Sequence, residues 1–273
     1  MDGFTKVADL GGGIHYDVSL AHDHHRRALV VVKALRPDFL EDPSARAGYL
    51  RELELLSRIS HPNIVRLLAY DDEAAQPFLV LEYLDGPTLS KLIATDGHLE
   101  MHQFVSLAVE LTSAIAYLHD EGFAHLDVKP SNIIMGAPAK LIDLSLAMPL
   151  ADAAALDHPV GTDEYMAPEQ CLPGSNPGQR GLIGPASDVW AIGASLFRAV
   201  GGHRAWPQGG HPQLNTPPRD LPEFVPPVIR DIIGQTLQTD PAARPSPDEL
   251  LEQFEGLIDH LPKARLAGFK VRL

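Results

Sequence analysis

The sequence predicts an α+β protein of two lobes: a small antiparallel β lobe carrying one helix, then a larger, mostly α-helical lobe. Three observations lead to this reading. Over residues 1–84 short apolar runs alternate with Gly and His-Asp turns, with a single stretch at helical spacing among them. Beyond that point apolar residues recur at helical intervals instead. Leu84-Asp85-Gly86-Pro87, which separates the two patterns, is built from the residues of turns and marks the passage between lobes.

Each element follows in order. Residues 4–10, 17–21 and 29–35 read as the first three strands. Asp42, Pro43 and Ser44 signal a helix start, Tyr49, Leu50, Leu53, Leu56 and Ile59 recur at helical spacing, and His61-Pro62 closes the segment. Residues 64–70 and 78–83 complete the sheet. Helices are expected over 88–94, 102–121, 187–200, 228–237 and 247–258. The division is therefore 1–84 for the small lobe, 85–258 for the large lobe and 259–273 for a basic tail or linker. Lys263, Arg265, Lys270 and Arg272 reverse the sign of the chain there.

Composition narrows the function classes. A chain of 273 residues can bury a sizeable core. Its net charge of -14, from 22 basic and 36 acidic residues, disfavours nucleic acid and anionic membranes and leaves basic protein segments as clients. Cys171 is alone, so no intrachain disulfide forms, and a reducing cytoplasm fits. Lys33 and Arg198 interrupt the longest apolar runs, so no membrane span is expected. Asp2, Lys6 and Asp9 leave no room for the apolar core of a signal peptide. His22-Asp23-His24-His25 has the composition of a metal cluster, but adjacent residues in a turn do not share one face, and a solvated turn is expected.

The chemistry is concentrated in His125-Leu126-Asp127-Val128-Lys129-Pro130-Ser131-Asn132 and in Leu141-Ile142-Asp143. Moving a terminal phosphoryl group requires a carboxylate to accept a hydroxyl proton, a metal to neutralise phosphate oxygens, and a cation for the charge in transit. Asp127 suits the first task, Asn132 with Asp143 the second, and Lys129 the third. The alternative is a solvated loop, because Asp, Lys, Pro, Ser and Asn are also ordinary turn residues.

With Val31-Val32-Lys33, Glu52, His61-Pro62-Asn63-Ile64-Val65, Gly161-Thr162-Asp163-Glu164-Tyr165-Met166-Ala167-Pro168-Glu169, Asp188-Val189-Trp190 and Arg244, these motifs resemble the eukaryotic-like (Hanks-type) serine/threonine protein kinases, especially those of bacteria. The resemblance runs from Val7 to about Phe254. It implies a bilobal protein-kinase fold, ATP with Mg2+ or Mn2+ as cofactors, and a protein substrate with a Ser or Thr acceptor. By it Lys33 holds the α- and β-phosphates and pairs with Glu52. Asp127 orients the substrate hydroxyl, Lys129 and Lys33 steady the γ-phosphate, and Asn132 and Asp143 hold the metal. Gly11 and Gly13 belong to the loop over the phosphates. Glu82 and Leu84 offer a backbone carbonyl and amide to the adenine edge, Leu81 is the gatekeeper, and Val18, Val31, Ile134 and Ile142 line the base. Glu169 with Arg244 is a structural ion pair, and Asp188 holds the backbone of the catalytic loop. Lys129 marks the Ser/Thr subgroup, and Ala167-Pro168-Glu169 favours protein over small-molecule acceptors.

Departures from the pattern carry their own expectations. Tyr16 stands where the resemblance expects the third glycine of the phosphate loop, so its side chain either hinders the loop or caps the site from outside. Leu126 replaces the arginine that reads an activation-segment phosphate, which implies that such phosphorylation is not the switch. The enzyme is then either constitutively competent or controlled by a partner, such as a receptor domain outside this chain. Ser145 replaces a glycine after Asp143-Leu144 and restricts the flip of that segment. The Pro/Gly-rich residues 172–185 are expected to form a loop near the peptide-docking side. Tyr16 and Ser145 motivate a rival reading, a pseudokinase acting as a nucleotide-dependent or steric binding module. The complete set Lys33, Glu52, Asp127, Lys129, Asn132 and Asp143 argues for an enzyme.

Overall fold

The computed structural model describes residues 3–173 and 182–258. Strands β1 (Phe4–Gly11), β2 (Tyr16–Asp23), β3 (Ala28–Leu35), β4 (Leu67–Asp71) and β5 (Phe78–Glu82) form one antiparallel sheet in the order β1-β2-β3-β5-β4. Strand periodicity decides which side chains meet what. Val30, Val32 and Ala34 of β3 pack with Ala21, Phe78 and Val80 on one face. Val31 and Leu35 belong to the main core on the other face, where Lys33 also points.

Helix α1 (Pro43–Arg58) crosses that second face. Asp42 caps its start by accepting from the amides of Ser44 at 2.8 Å and Ala45 at 3.2 Å. Ala45, Tyr49, Glu52, Leu53, Leu55 and Leu56 form its buried stripe, and the Tyr49 hydroxyl donates to the Phe78 carbonyl at 3.2 Å.

The expected strand 64–70 begins only at Leu67, because the backbone before it pairs with the large lobe. Val65 donates to the Leu141 carbonyl and Leu141 to the Asn63 carbonyl, each at 2.9 Å. The Asn63 side chain adds a bond to the Ala139 carbonyl at 3.0 Å. This short segment fastens one lobe to the other.

The large lobe holds α2 (Leu89–Asp96), α3 (Met101–Asp120), α4 (Leu150–Ala154), α5 (Pro168–Cys171), α6 (Pro185–Gly201), α7 (Pro227–Thr236) and α8 (Pro247–Ile258). Two small ladders join β6 (Phe123–Ala124) to β9 (Met148–Pro149) and β7 (Ile133–Ile134) to β8 (Lys140–Leu141). α6 is buried on nearly every side, as its almost uninterrupted apolar sequence requires. A Cβ on its Gly193 would lie 1.8 Å from Thr236 Oγ1, so only glycine lets α6 and α7 approach this closely. Among the described residues no helix is long and apolar enough to cross a membrane.

The turn between β2 and β3 is solvated, as expected, except at Asp23. His22, His24 and His25 are exposed, but Asp23 is buried and accepts from the His25 amide, the Arg26 amide and Arg26 Nη1 at 2.8 to 2.9 Å. Its carboxylate closes the turn. The basic tail 259–273 and residues 174–181 of the expected loop lie outside the described residues.

Candidate active site

Three charged side chains meet where the lobes face each other. Lys33 Nζ donates to both Glu52 oxygens at 2.7 Å and to Asp143 Oδ1 at 2.9 Å. Lys33 comes from the helix-facing side of β3, Glu52 from the buried stripe of α1, and Asp143 from just beyond β8. Burial alone would lower the lysine pKa, but Glu52 and Asp143 together hold it above the ordinary range. For Asp143 burial acts to raise the pKa, and the charge and hydrogen bond of Lys33 overcome it, so the carboxyl stays anionic. Burial pushes the Glu52 carboxyl up, against the pull of Lys33. The backbone amide of Ser145 donates to Asp143 Oδ1 at 3.2 Å and helps to fix the carboxylate.

Asp127 lies in a second cluster. Its Oδ1 accepts from Thr162 Oγ1 at 2.6 Å and its Oδ2 from Lys129 Nζ at 2.7 Å. Lys129 also donates to Thr162 Oγ1 at 2.7 Å, closing a triangle. Asn132 Nδ2 donates to the Asp127 carbonyl at 3.1 Å and to Asp127 Oδ2 at 3.3 Å. The β7–β8 ladder places Asn132 and Asp143 at one end, because Ile133 pairs with Leu141 and the Ile142 amide donates to the Asn132 carbonyl at 2.9 Å. With its amide nitrogen engaged, Asn132 offers Oδ1, and Asp143 offers Oδ2 beside its occupied Oδ1. Such hard oxygen donors suit a small divalent cation.

The loop backbone is held from below. Asp188 is fully buried and accepts from the amides of His125 and Leu126 at 2.7 Å and from His119 Nε2 at 2.8 Å. Burial raises its pKa, but the His119 hydrogen bond and charge win and keep it ionised. Leu126 has a φ of 63°. A left-handed non-glycine residue costs about 1–2 kcal/mol. Its amide is held by Asp188 and its carbonyl by Gln170 Nε2 at 3.1 Å, which fixes the conformation.

The Leu126 side chain is 2% exposed and packs with Ala124, Met148, Ala153 and Ile183, with Leu150 and Leu156 alongside. α4 and β9 of the activation segment therefore rest on an apolar cluster where the sequence pattern would have an arginine.

The remaining candidates fall on both lobes. Val18 pairs with Lys33 across β2 and β3, and Val31 pairs with the buried Leu81 across β3 and β5. Val31, Leu84 and Ile142 pack half-buried on the main core, and Ile134 is half-buried in β7. The Glu82 carboxylate takes the Arg66 amide at 2.9 Å and pairs with Lys140. Gly11 and Gly13 are exposed, with open space where a Cβ would stand. Tyr16 does not cap the site from outside: it is 7% exposed, with its ring centre 4.5 Å from Lys33 Nζ.

Sequence reasoning gave no role to Thr162, Ser145, His119 or Gln170 in these networks. Thr162 follows Gly161 in a stretch already singled out, but a single hydroxyl carries no spacing signal. His119 reaches Asp188 and Gln170 reaches Leu126 through contacts far apart in the chain.

The sequence profile of the protein kinase domain matches residues 4–254. A probable serine/threonine-protein kinase PkwA of Thermomonospora curvata is 32% identical over 265 residues, which is 94% of this chain and 34% of that protein. Serine/threonine-protein kinase PknB of Mycobacterium leprae is 32% identical over 204 residues, 71% of this chain and 31% of that protein. Serine/threonine-protein kinase PknA of Mycobacterium tuberculosis is 30% identical over 239 residues, 82% of this chain and 54% of that protein. The chain belongs to the protein kinase family, as a Hanks-type serine/threonine kinase domain of the kind found in bacteria. It spans about a third of the length of the first two relatives.

Proposed function

We propose that this domain transfers the γ-phosphate of ATP to serine or threonine hydroxyls of protein substrates, with its activation segment seated without phosphate. The observation that carries the first half is the convergence of Lys33, Glu52 and Asp143 within 2.9 Å of one amine. Lys33 would hold the α- and β-phosphates, with Glu52 fixing its direction. Asp127 would accept the hydroxyl proton of the substrate, held in place by Thr162 and Lys129, and Lys129 would steady the transferred group. Asn132 and Asp143 are the proposed holders of Mg2+, and Glu82, Leu84, Leu81, Val18, Val31, Ile134 and Ile142 the surroundings of the base. A cation bound there would neutralise phosphate charge.

The second half rests on Leu126. An apolar cluster holds the activation segment by burial, which needs no added charge, and a phosphate would find no guanidinium at this position. The proposed site of action is the cytoplasm, where ATP is available and Cys171 stays reduced. A regulatory partner, or further domains of a longer protein, would supply the switch.

The test is transfer of radiolabelled phosphate from ATP to the protein itself and to a basic acceptor protein, for wild type, Asp127→Ala and Lys33→Ala. Labelling in the wild type alone is expected, and equal labelling in all three overturns the proposal. Phosphatase treatment should leave the rate unchanged; a matching loss of rate overturns the second half. A pseudokinase is the reading that Tyr16 favours, since its ring lies against the amine that ATP must reach. Nucleotide binding with no transfer to any acceptor would establish it.

A further inference from the structure

We infer that Tyr16 is a positioning residue that wedges the phosphate loop against helix α1 and so holds Lys33 and Glu52 in register. The inference rests on the kinase reading above. Tyr16 opens β2 opposite Leu35, and Val18 pairs with Lys33, so all four side chains share one sheet face. That places the Tyr16 ring diagonally beside Lys33, with its centre 4.5 Å from Nζ, a cation–π distance. The ring joins the core cluster of Leu35, Ala45 and Tyr49, so it spans from sheet to helix.

The helix side of the contact is shaped for it. A Cβ on Gly48 would stand 4.0 Å from the Tyr16 hydroxyl oxygen, and Gly48 lies one helical turn before Glu52. The ring end therefore reaches van der Waals range of the α1 backbone at this turn. On the loop side Gly12 has a φ of 154°, and a Cβ there would fall 2.1 Å from the Tyr16 carbonyl oxygen. The phosphate loop thus folds tightly onto the Tyr16 backbone while the side chain reaches α1.

The consequence is mechanical. Lys33 directs its N–H groups at Glu52 and Asp143, and the ring covers a further side of the amine. Removing the ring would open a gap between the loop and α1 and would leave the helix freer to turn Glu52 away, with Tyr49 and the rest of the buried stripe still holding it.

The experiment compares wild type with Tyr16→Phe, Tyr16→Leu and Tyr16→Gly. Its readouts are the kcat and KM for ATP with a protein acceptor, the thermal midpoint, and the hydrogen exchange of α1 amides. Tyr16→Phe keeps the ring and should stay within about twofold of wild type in kcat. Tyr16→Leu keeps apolar volume, and its kcat should fall roughly tenfold with a smaller change in KM, as when an interaction that matters in the transition state is lost. Its α1 amides should exchange faster at an almost unchanged midpoint. Wild-type exchange and rate in Tyr16→Leu, or a faster enzyme in Tyr16→Gly, would overturn the inference and mark the ring as inert or obstructive. A wild type that phosphorylates nothing would defeat the kinase reading instead, and α1 exchange would still decide the role of Tyr16.

Discussion

Thr162 Oγ1 stands 2.6 Å from Asp127 Oδ1 and donates to it, while accepting from Lys129 Nζ at 2.7 Å. The hydroxyl therefore orients both the proposed base and the proposed cation. Replacing it by Ala frees one carboxylate oxygen and removes one acceptor from Lys129. A misplaced catalytic group costs on the order of 100-fold, so Thr162→Ala should lower kcat by about 10- to 100-fold. Thr162→Ser, which keeps the hydroxyl, should remain within a few-fold. Steady-state rates at saturating ATP check this, and an unimpaired alanine variant would remove Thr162 from the site.

Leu126 supports a prediction about the activation segment. Truncating a buried leucine costs about 2–5 kcal/mol through lost burial and the cavity left behind. Leu126→Ala should lose stability in that range in urea unfolding and make residues 150–161 more sensitive to limited proteolysis. Leu126→Arg should do at least as much damage, since it places a guanidinium among Ala124, Met148, Ala153 and Ile183. Unchanged protease resistance in both variants would show that the segment is held elsewhere.

The parts legible in the sequence were those written in periodicity or in a local motif. The α1 stripe of Tyr49, Leu53 and Leu56, the run of β3 and the turn at Asp85-Gly86-Pro87 carry period and turn chemistry within one window. β6, β7, β8 and β9 have two residues each, too short to leave a period. Ile64 and Val65 are apolar enough for a strand, but their backbone pairs with Leu141, a choice made by tertiary contact. Lys33, Glu52 and Asp143 were each identified by motif, and the fold brings them together. The inward turn of Tyr16 was hidden because it depends on the pairing of Tyr16 with Leu35 and on packing against α1, which leave no local signal.

Arg244 and Glu169 give a prediction about stability alone. Nη1 meets Oε1 at 2.6 Å and Nη2 meets Oε2 at 2.9 Å, with the two side chains 0% and 2% exposed. The same guanidinium donates to the carbonyls of Ala186, Gln238 and Thr239 and lies over the Trp190 ring at 5.0 Å. Removing one partner of a buried pair strands the other, at a cost of about 3–5 kcal/mol. Glu169→Gln should therefore lower the urea midpoint markedly. Arg244→Lys should not restore it, because a point charge cannot make the two-pronged contact. A lysine variant as stable as wild type would show that charge, and not the planar fork, holds the lobe together.

His125 sets the response to mild acid. It is fully buried, and burial pulls its pKa below the ordinary imidazole value, although Asp188, Asp127 and Asp143 pull the other way and Lys129 adds to the lowering. Its Nδ1 accepts the Asp127 amide at 3.2 Å, which requires that nitrogen to be unprotonated. In the unfolded chain the ring takes up a proton near a pKa of about 6.5, but in the folded chain it does so only at lower pH. The folded pKa is depressed, so the stabilising contribution is whole above about pH 6.5 and is lost as pH falls below it. The depressed carboxyls of Asp143 and Asp188 add their own loss only as the unfolded carboxyls titrate, near about pH 4. Burial that raises the Glu52 carboxyl works the other way and the depressed His61 works the same way, but both are common to the two proteins. Between pH 7 and 5 the urea midpoint of the wild type should therefore fall relative to that of His125→Phe, although the variant starts lower because the Asp127 amide loses its acceptor. Parallel midpoints over that interval would mean that the buried ring is not the acid-sensitive group.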